Sequence, residues 1–471
     1  MSEKVKKFRL FDAVLAAVCI VLVVESSAPA AAIGNSQFFW WIFLLIGFFL
    51  PYGLISAELG TTYTGDGGIY DWVRRAYGDK WGSRVAWYYY INFPLWVGSV
   101  AVLFTDVIAQ ITGKAIPVYI SLPVQLIFIW AVTLMSGTNI ADSKWILNLA
   151  AVIKAFIMLS VGVLGIYHLV REGGANDFSP STFVPSFDAR GLSNISVVIF
   201  NFLGFEVVTT FASQMKKPEK EIPRAIILGG VIIAVFYLLA AFGIGVAVPK
   251  DELSASSGII ESITLLVGAK NKWVIAIYGI LFLYTLASNL LSWAFGVNSV
   301  AKYASDEGGL PAFLGKEDKN GRPFGAEMAN GIIASIIILI APLIPSEDIF
   351  WSFFALNMVT LLMSYILMFP AFLRLRKKDP DIERPFRVGG KGFLLGLITY
   401  LPMILLIISV IFSIIPLNST SEELGEKLPI LIGTLVAVVI GEIIAAGAKS
   451  KNERKQKGNR PELVNMPDDI D

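Results

Sequence analysis

The sequence predicts an all-α polytopic membrane protein of twelve spans, and three observations carry that prediction. Of 471 residues, 55% are hydrophobic and only 16% are charged, against roughly 25% charged in a typical soluble protein. Apolar runs recur along the whole chain, each bounded by charges, prolines or glycines, and the mean hydropathy is +0.67. Lys and Arg gather in alternate connections between those runs. A bilayer crossing needs about 20 apolar residues, so short connections leave room for no sizeable soluble domain. An ordinary cytosolic enzyme is thereby excluded.

In chain order the apolar runs fall near 10–33, 38–62, 83–112, 117–138, 145–169 and 192–214, then near 223–248, 273–303, 328–345, 349–373, 393–416 and 428–447. The first is too long and too polar at its N-terminus for a secretory signal, and another span follows it directly. With the N-terminus placed in the cytoplasm, inner segments hold 30 of the 38 Lys and Arg, outer loops hold 7, and Lys154 lies within a span. The positive-inside rule therefore puts both termini in the cytoplasm of a multi-pass cell-membrane protein. Residues 1–447 form one transmembrane domain, with 448–471 a solvated cytoplasmic tail. The short apolar stretch 254–269 is expected as an outer cap helix lying along the surface.

A net charge of +1 gives no pull toward nucleic acid. The single cysteine, Cys19, allows no disulfide framework, and the single histidine, His168, closes off His-based metal sites and most triad chemistry. Neither a metal nor a cofactor is expected.

Ionisable groups inside spans cost about 2.5 to 3.5 kcal/mol each on insertion scales, so each marks a candidate site. Glu25, Asp106, Lys154 and Glu206 stand out, with Asp106 the closest to interfacial water. Span 1 reads Glu25-Ser26-Ser27-Ala28-Pro29. Pro29 cannot donate a backbone bond and clashes with the carbonyl of Glu25. Either the helix breaks near 25–29 and its freed groups line a cavity, or Pro29 makes a simple kink with Glu25 in a structural pair. Span 6 reads Phe200-Asn201-Phe202-Leu203-Gly204-Phe205-Glu206, a second candidate break five spans later. Two interrupted helices meeting at the midplane are the pattern of inverted-repeat transporters. Lys154 lies ten residues beyond Lys144, about 15 Å along a helix, near the bilayer centre. It needs a carboxylate or bare carbonyls as partner, and it supplies fixed positive charge in the place of a coupling cation. Helix-locking is the plainer alternative. Trp293, deep in span 8, is a gate or stacking candidate. The stripe Trp87 to Tyr90 is expected to be an aromatic belt at the inner interface.

The inner loops carry further motifs: Phe-Ala-Ser-Gln-Met-Lys-Lys-Pro-Glu-Lys-Glu-Ile-Pro-Arg-Ala-Ile at 211–226, Ala301-Lys302-Tyr303-Ala304-Ser305-Asp306-Glu307-Gly308-Gly309-Leu310-Pro311, Pro380-Asp381-Ile382-Glu383-Arg384-Pro385-Phe386, and Gly65-Asp66-Gly67-Gly68-Ile69-Tyr70. Together they resemble the loops of the amino acid-polyamine-organocation superfamily, in the same order. The resemblance implies a leucine-transporter-like 5+5 inverted repeat, with repeat one about 10–169, repeat two about 192–373, and two extra helices about 393–447. It implies substrate between the breaks of spans 1 and 6, with Lys154 matching the family's span 5 lysine of sodium-independent members. Glu206 matches its span 6 acidic residue, and its aromatic gate falls on Phe200 or Phe202. Amino-acid-binding members usually carry Gly-Ser-Gly where this chain has Glu25-Ser26-Ser27-Ala28-Pro29. A Glu there is more similar to the branch of bacterial glutamate:GABA antiporters and agmatine:putrescine-type exchangers.

The expectation is therefore a sodium-independent exchanger of an amino acid or amine, working by alternating access. Substrate would be bound by Glu25, Ser26, Ser27, Ala28, Phe200, Asn201, Phe202, Gly204 and Trp293, with coupling or gating by Lys154 and Glu206. The alternative is proton-coupled uptake without obligate exchange. A channel would need a continuous polar lining, and the polar residues cluster at one depth. An enzyme would need Ser26 or Ser27 with Lys154 as nucleophile and base, but small hydroxyls also suit a broken helix. The partners implied are the lipid bilayer and a small amine or amino acid; assembly as a homodimer is left open.

Overall fold

The computed structural model describes residue 14 and residues 21–65, 67–137, 144–185, 187, 189–206, 218–256, 258–344, 348–416 and 420–448. Residues 211–217 of the quoted loop, Asp66 and the tail from 449 lie outside them. Among the described residues there are helices and no strands. The helices are α1 (Ser27–Ala31), α2 (Gln37–Thr62, with a π-helical stretch at Leu45–Phe49), α3 (Gly68–Tyr77), α4 (Asp79–Thr112), α5 (Val118–Ser136), α6 (Lys144–Glu172) and α7 (Ala189–Phe200). They continue with α8 (Pro218–Ala247), α9 (Gly258–Val267), α10 (Lys272–Asp306), α11 (Phe324–Ile340), α12 (Ile349–Tyr365), α13 (Met368–Lys378), α14 (Gly392–Ile414) and α15 (Ser421–Gly447).

Ten of the described helical segments are long and apolar enough to cross a membrane. Spans 1 and 6 of the sequence prediction are not among the ten. Val21 is helical, Leu22 and Val23 are not, and a 3-10 turn over Val24–Ser26 leads into α1. On the other side, α7 gives way to turns over 201–206. The gap in span 1 thus lies at Leu22–Val23, before the predicted 25–29. Pro29 is the third residue of α1 and lies within the helical stretch that begins at Val24, so the gap opens before the proline rather than at it.

The most buried spans are α4 and the α12–α13 pair, while α5, α14 and α15 form the periphery. Helices α6 and α8 touch backbone to backbone: a Cβ built on Gly165 would lie 2.5 Å from Gly243 Cα, and one on Gly243 would lie 2.2 Å from the Val161 carbonyl oxygen. Small residues permit such close approach in a membrane, where apolar side chains gain little from leaving lipid. The short helix α9 buries Ile259, Ile260, Ile263 and Leu266 against the end of the bundle and leaves Leu265, on its other face, 47% exposed. The stripe Trp87 to Tyr90 is likewise internal, each residue being 8% exposed or less. Trp87 Nε1 donates to the Ala437 carbonyl and Tyr90 donates to that of Ala326, so their polar tips pin α4 to α15 and α11 rather than meeting water.

The Lys- and Arg-rich end of the bundle is sewn together by charge. Arg74 pairs with Asp71 and Glu307, and Arg75 with Asp71. Glu58, on α2, accepts from Arg376 on α13, lies 3.4 Å from Arg384, and takes the Val388 backbone N–H at 2.6 Å.

Candidate functional site

The gap at Leu22–Val23 frees backbone groups that must find partners inside the protein. Tyr237, projecting from α8, supplies them. Its hydroxyl accepts from Val23 N–H at 2.9 Å and lies 3.1 Å from the Val23 carbonyl. Ser26 Oγ donates to the same carbonyl at 2.7 Å. The predicted substrate residue Ser26 is therefore spent on holding the gap, whereas its neighbour Ser27 has a buried Oγ with no hydrogen-bond partner. Ala28 packs on α9, close to Gly258.

Glu25 is 2% exposed and Lys154 is 1% exposed. They are joined through Asn289 on α10. Lys154 Nζ donates to Asn289 Oδ1 at 2.8 Å, and Asn289 Nδ2 reaches Glu25 Oε1 at 3.5 Å. The second Glu25 oxygen, Oε2, is buried and makes no hydrogen bond within 3.5 Å, and the Trp96 indole lies beside the carboxyl. One turn along α10 from Asn289, on the same face, stands Trp293. Its ring meets that of Trp96 edge-on at 5.6 Å.

The turn after α7 depends on Gly204, whose φ of +92° is in the left-handed region and whose Cβ, if present, would lie 2.7 Å from the Trp293 ring. Backbone conformation and close approach both demand glycine there. The turn aims Glu206 at two tyrosines: Oε1 accepts from Tyr365 at 2.6 Å and Oε2 from Tyr52. Asn201, in the same turn, is 1% exposed and neither atom of its amide has a partner. Phe200 packs edge-on against Phe354 of α12 at 5.2 Å. Phe202 turns the other way, onto Trp41 and Phe49 of α2.

The structure thus places Glu25, Lys154, Gly204 and Trp293 in one linked cluster around the gap at Leu22–Val23 and the turn after α7, and seats Glu206 in a tyrosine clamp. Asp106 stands apart, in the wall of a separate cavity of ≈230 Å³ between α4, α5 and α11. Buried polar atoms are almost always paired, and leaving one bare costs about 1 to 3 kcal/mol. Glu25 Oε2, Ser27 Oγ, Trp96 Nε1 and the Asn201 amide make no hydrogen bond within 3.5 Å beside the gap in span 1 and the turn after α7, the Glu25 carboxyl and the Trp96 indole facing each other, a set suited to a ligand that brings its own donors and acceptors. Sequence inspection missed Asn289, Tyr237, Tyr52 and Tyr365. An Asn four residues before Trp293 on one helix face was a readable signal for Asn289; single tyrosines in apolar helices gave none.

The family model described as amino acid permease matches residues 8–440. The chain is 51% identical over 445 residues to the "Probable agmatine/putrescine antiporter AguD" of Lactococcus lactis, covering 94% of this chain and 96% of that protein. It is 23% identical to the glutamate/gamma-aminobutyrate antiporter of the same species, over 93% of this chain and 90% of the relative. To a probable polyamine transporter of Arabidopsis thaliana it is 22% identical, over 92% of this chain and 84% of the relative. These relatives are transporters rather than enzymes. The chain belongs to the amino acid permease family and is a multi-pass membrane transporter.

Proposed function

We propose that this transporter exchanges agmatine for putrescine, or closely related cationic amines, across the cell membrane. The observation that carries this is Glu25: a buried carboxylate beside the interrupted helix, with one oxygen held toward Lys154 through Asn289 and the other making no hydrogen bond within 3.5 Å. An ammonium or guanidinium completes that pair, and the pairing offsets the several kcal/mol each ion loses on leaving water. A substrate α-carboxylate would meet Glu25 instead of the glycine amides usual in amino-acid-binding relatives. The identity to an agmatine/putrescine antiporter points the same way.

In this proposal the two interrupted segments join the ten continuous spans to make twelve, arranged as two inverted five-span repeats over about 10–169 and 192–373 with two helices added. The Lys- and Arg-rich end faces the cytoplasm, and both termini lie there. Substrate sits among Glu25, Ser27, Asn201 and the Trp96 and Trp293 rings. Ser26 and Gly204 shape the two interruptions, Ala28 and Phe202 support them from behind, and Phe200 closes over the site from α7. Lys154 takes the part of a coupling cation, and Glu206 gates.

The test is counterflow in proteoliposomes. Labelled agmatine should enter vesicles loaded with putrescine and not empty ones, at equal rates in sodium and in choline buffer. Equal entry into loaded and empty vesicles would replace exchange by uptake, and a sodium requirement would remove Lys154 from the coupling role.

A further inference from the structure

At the end of the bundle opposite the Lys- and Arg-rich loops lies a second cavity, of ≈430 Å³, between the turn that joins α1 to α2, the loop after α6 and the end of α8. It shares no residue with the site above. Its rim is fixed by hydrogen bonds. Asn176 donates to the Gly245 and Val248 carbonyls and accepts from the Lys250 backbone N–H at 2.9 Å. Asn35 donates to the Asp177 carbonyl and to Thr182, both at 2.8 Å.

Three functional groups line this rigid frame. The side chain of Lys250 lies across Gly34, where a Cβ would meet Cδ at 3.3 Å and Nζ at 3.6 Å; with φ of +77° that position also favours glycine. Asp177 contributes a carboxylate, accepting from Ser179. Gln37 is only 3% exposed, and its Oε1 has no donor. Lys250 and Asp177 line one cavity yet form no ion pair with each other among the described residues. Such a wall asks for a ligand with an anionic oxygen at one end and an N–H-bearing cation at the other.

The surroundings select the source of that ligand. Phe242 lines the cavity and packs with Phe38 and Phe178, Phe38 in turn meets Phe183, Val184 lines the cavity and is 68% exposed, and Phe187, packed on Phe39 and Trp40, is 63% exposed. Apolar groups facing outward at the end of a span suit acyl chains.

We propose that this cavity binds the headgroup of an aminophospholipid, with phosphate at Lys250 Nζ, the primary ammonium between Gln37 Oε1 and Asp177, and the acyl chains along Val184 and Phe187. The inference stands apart from the transport reading. Its chemistry makes a sharp distinction: phosphatidylcholine carries the same charges but no N–H to give Gln37.

Native mass spectrometry of the full chain, doped with phosphatidylethanolamine or phosphatidylcholine, reads this directly. One phosphatidylethanolamine should be retained in preference to phosphatidylcholine. Lys250→Met should cut retention about tenfold, as loss of a charge-assisted hydrogen bond implies, while Lys250→Arg keeps it. Gln37→Leu should erase the preference between the two lipids. Equal retention of both lipids by the parent, or unchanged retention in folded Lys250→Met, would overturn the proposal. Soluble phosphoethanolamine is the arm for source. Its binding without any retention of the lipid would reject a lipid occupant, whereas lipid retention that it fails to compete away supports one.

Discussion

Glu25 and Glu206 are both buried carboxylates beside an interruption, yet their surroundings assign them different work. Glu25 has one oxygen with no hydrogen bond and the other at 3.5 Å from an amide; Glu206 has a tyrosine hydroxyl on each oxygen. Glu25→Gln should weaken amine binding by about 2 kcal/mol or more, as for removing one member of a buried charge pair, while leaving the fold intact. Titration calorimetry with agmatine and with arginine checks it, and equal parent-like affinity for both would show that Glu25 does not face substrate. Glu206 behaves otherwise. Adding a proton to it turns one acceptor oxygen into a donor, so the tyrosine on that oxygen must turn its hydroxyl to accept, loosening the turn after α7. Exchange should therefore vary with pH in the parent and flatten in Glu206→Gln; an unchanged profile would leave Glu206 structural. These two carboxylates were legible in the sequence because charge inside an apolar run is conspicuous. Asn289 was less so, since a neutral amide disturbs hydropathy little, and Tyr237 was invisible because nothing local marks a tyrosine that reaches across to another helix.

Elements carry the interruptions, and here sequence and structure diverge in an instructive way. Pro29 signals a discontinuity, but it lies within the helical stretch that begins at Val24, and the gap opens before it, at Leu22–Val23. Its position is set by Tyr237, 214 residues away. Tyr237→Phe removes the hydroxyl that accepts from the Val23 N–H, leaving that buried backbone donor bare at about 1 to 3 kcal/mol, while the Val23 carbonyl keeps Ser26 Oγ. We expect a lower melting temperature in detergent together with slower exchange, and a variant that matches the parent in both would deny Tyr237 its part in the gap. The ten continuous spans were readable from hydropathy alone. The burial of the Trp87 to Tyr90 stripe was not, because amphipathic residues suit an interface and an interior equally, and only the packing of α15 and α11 decides.

For the molecule as a whole, the clearest restraint is the ionic seam at the Lys- and Arg-rich end. Glu58 is 2% exposed in its side chain and faces two guanidinium groups from the segment around α13. Removing one member of a buried pair typically costs about 3 to 5 kcal/mol, so Glu58→Gln should unfold markedly earlier than the parent in a thermal melt, or shift substrate access toward the Lys- and Arg-rich end if the seam alone gives way. Solvent accessibility of engineered cysteines near Tyr303 separates those results, and a parent-like melt with parent-like accessibility would show the seam to be idle.

The glycine contact between α6 and α8 has a kinematic consequence. Parts whose backbones touch have no play between them, so α6 and α8 travel as one strut, and Lys154 and Tyr237 ride on it together. Span 1 is gripped by that strut at two points, directly at the gap and through Asn289 at Glu25. Any rocking during the cycle must then be taken up in the uncoiled residues themselves. Paired spin labels would see this as a fixed spacing between α6 and α8 throughout turnover, set against a changing spacing from α8 to α1. The sequence has one native cysteine to remove before labelling.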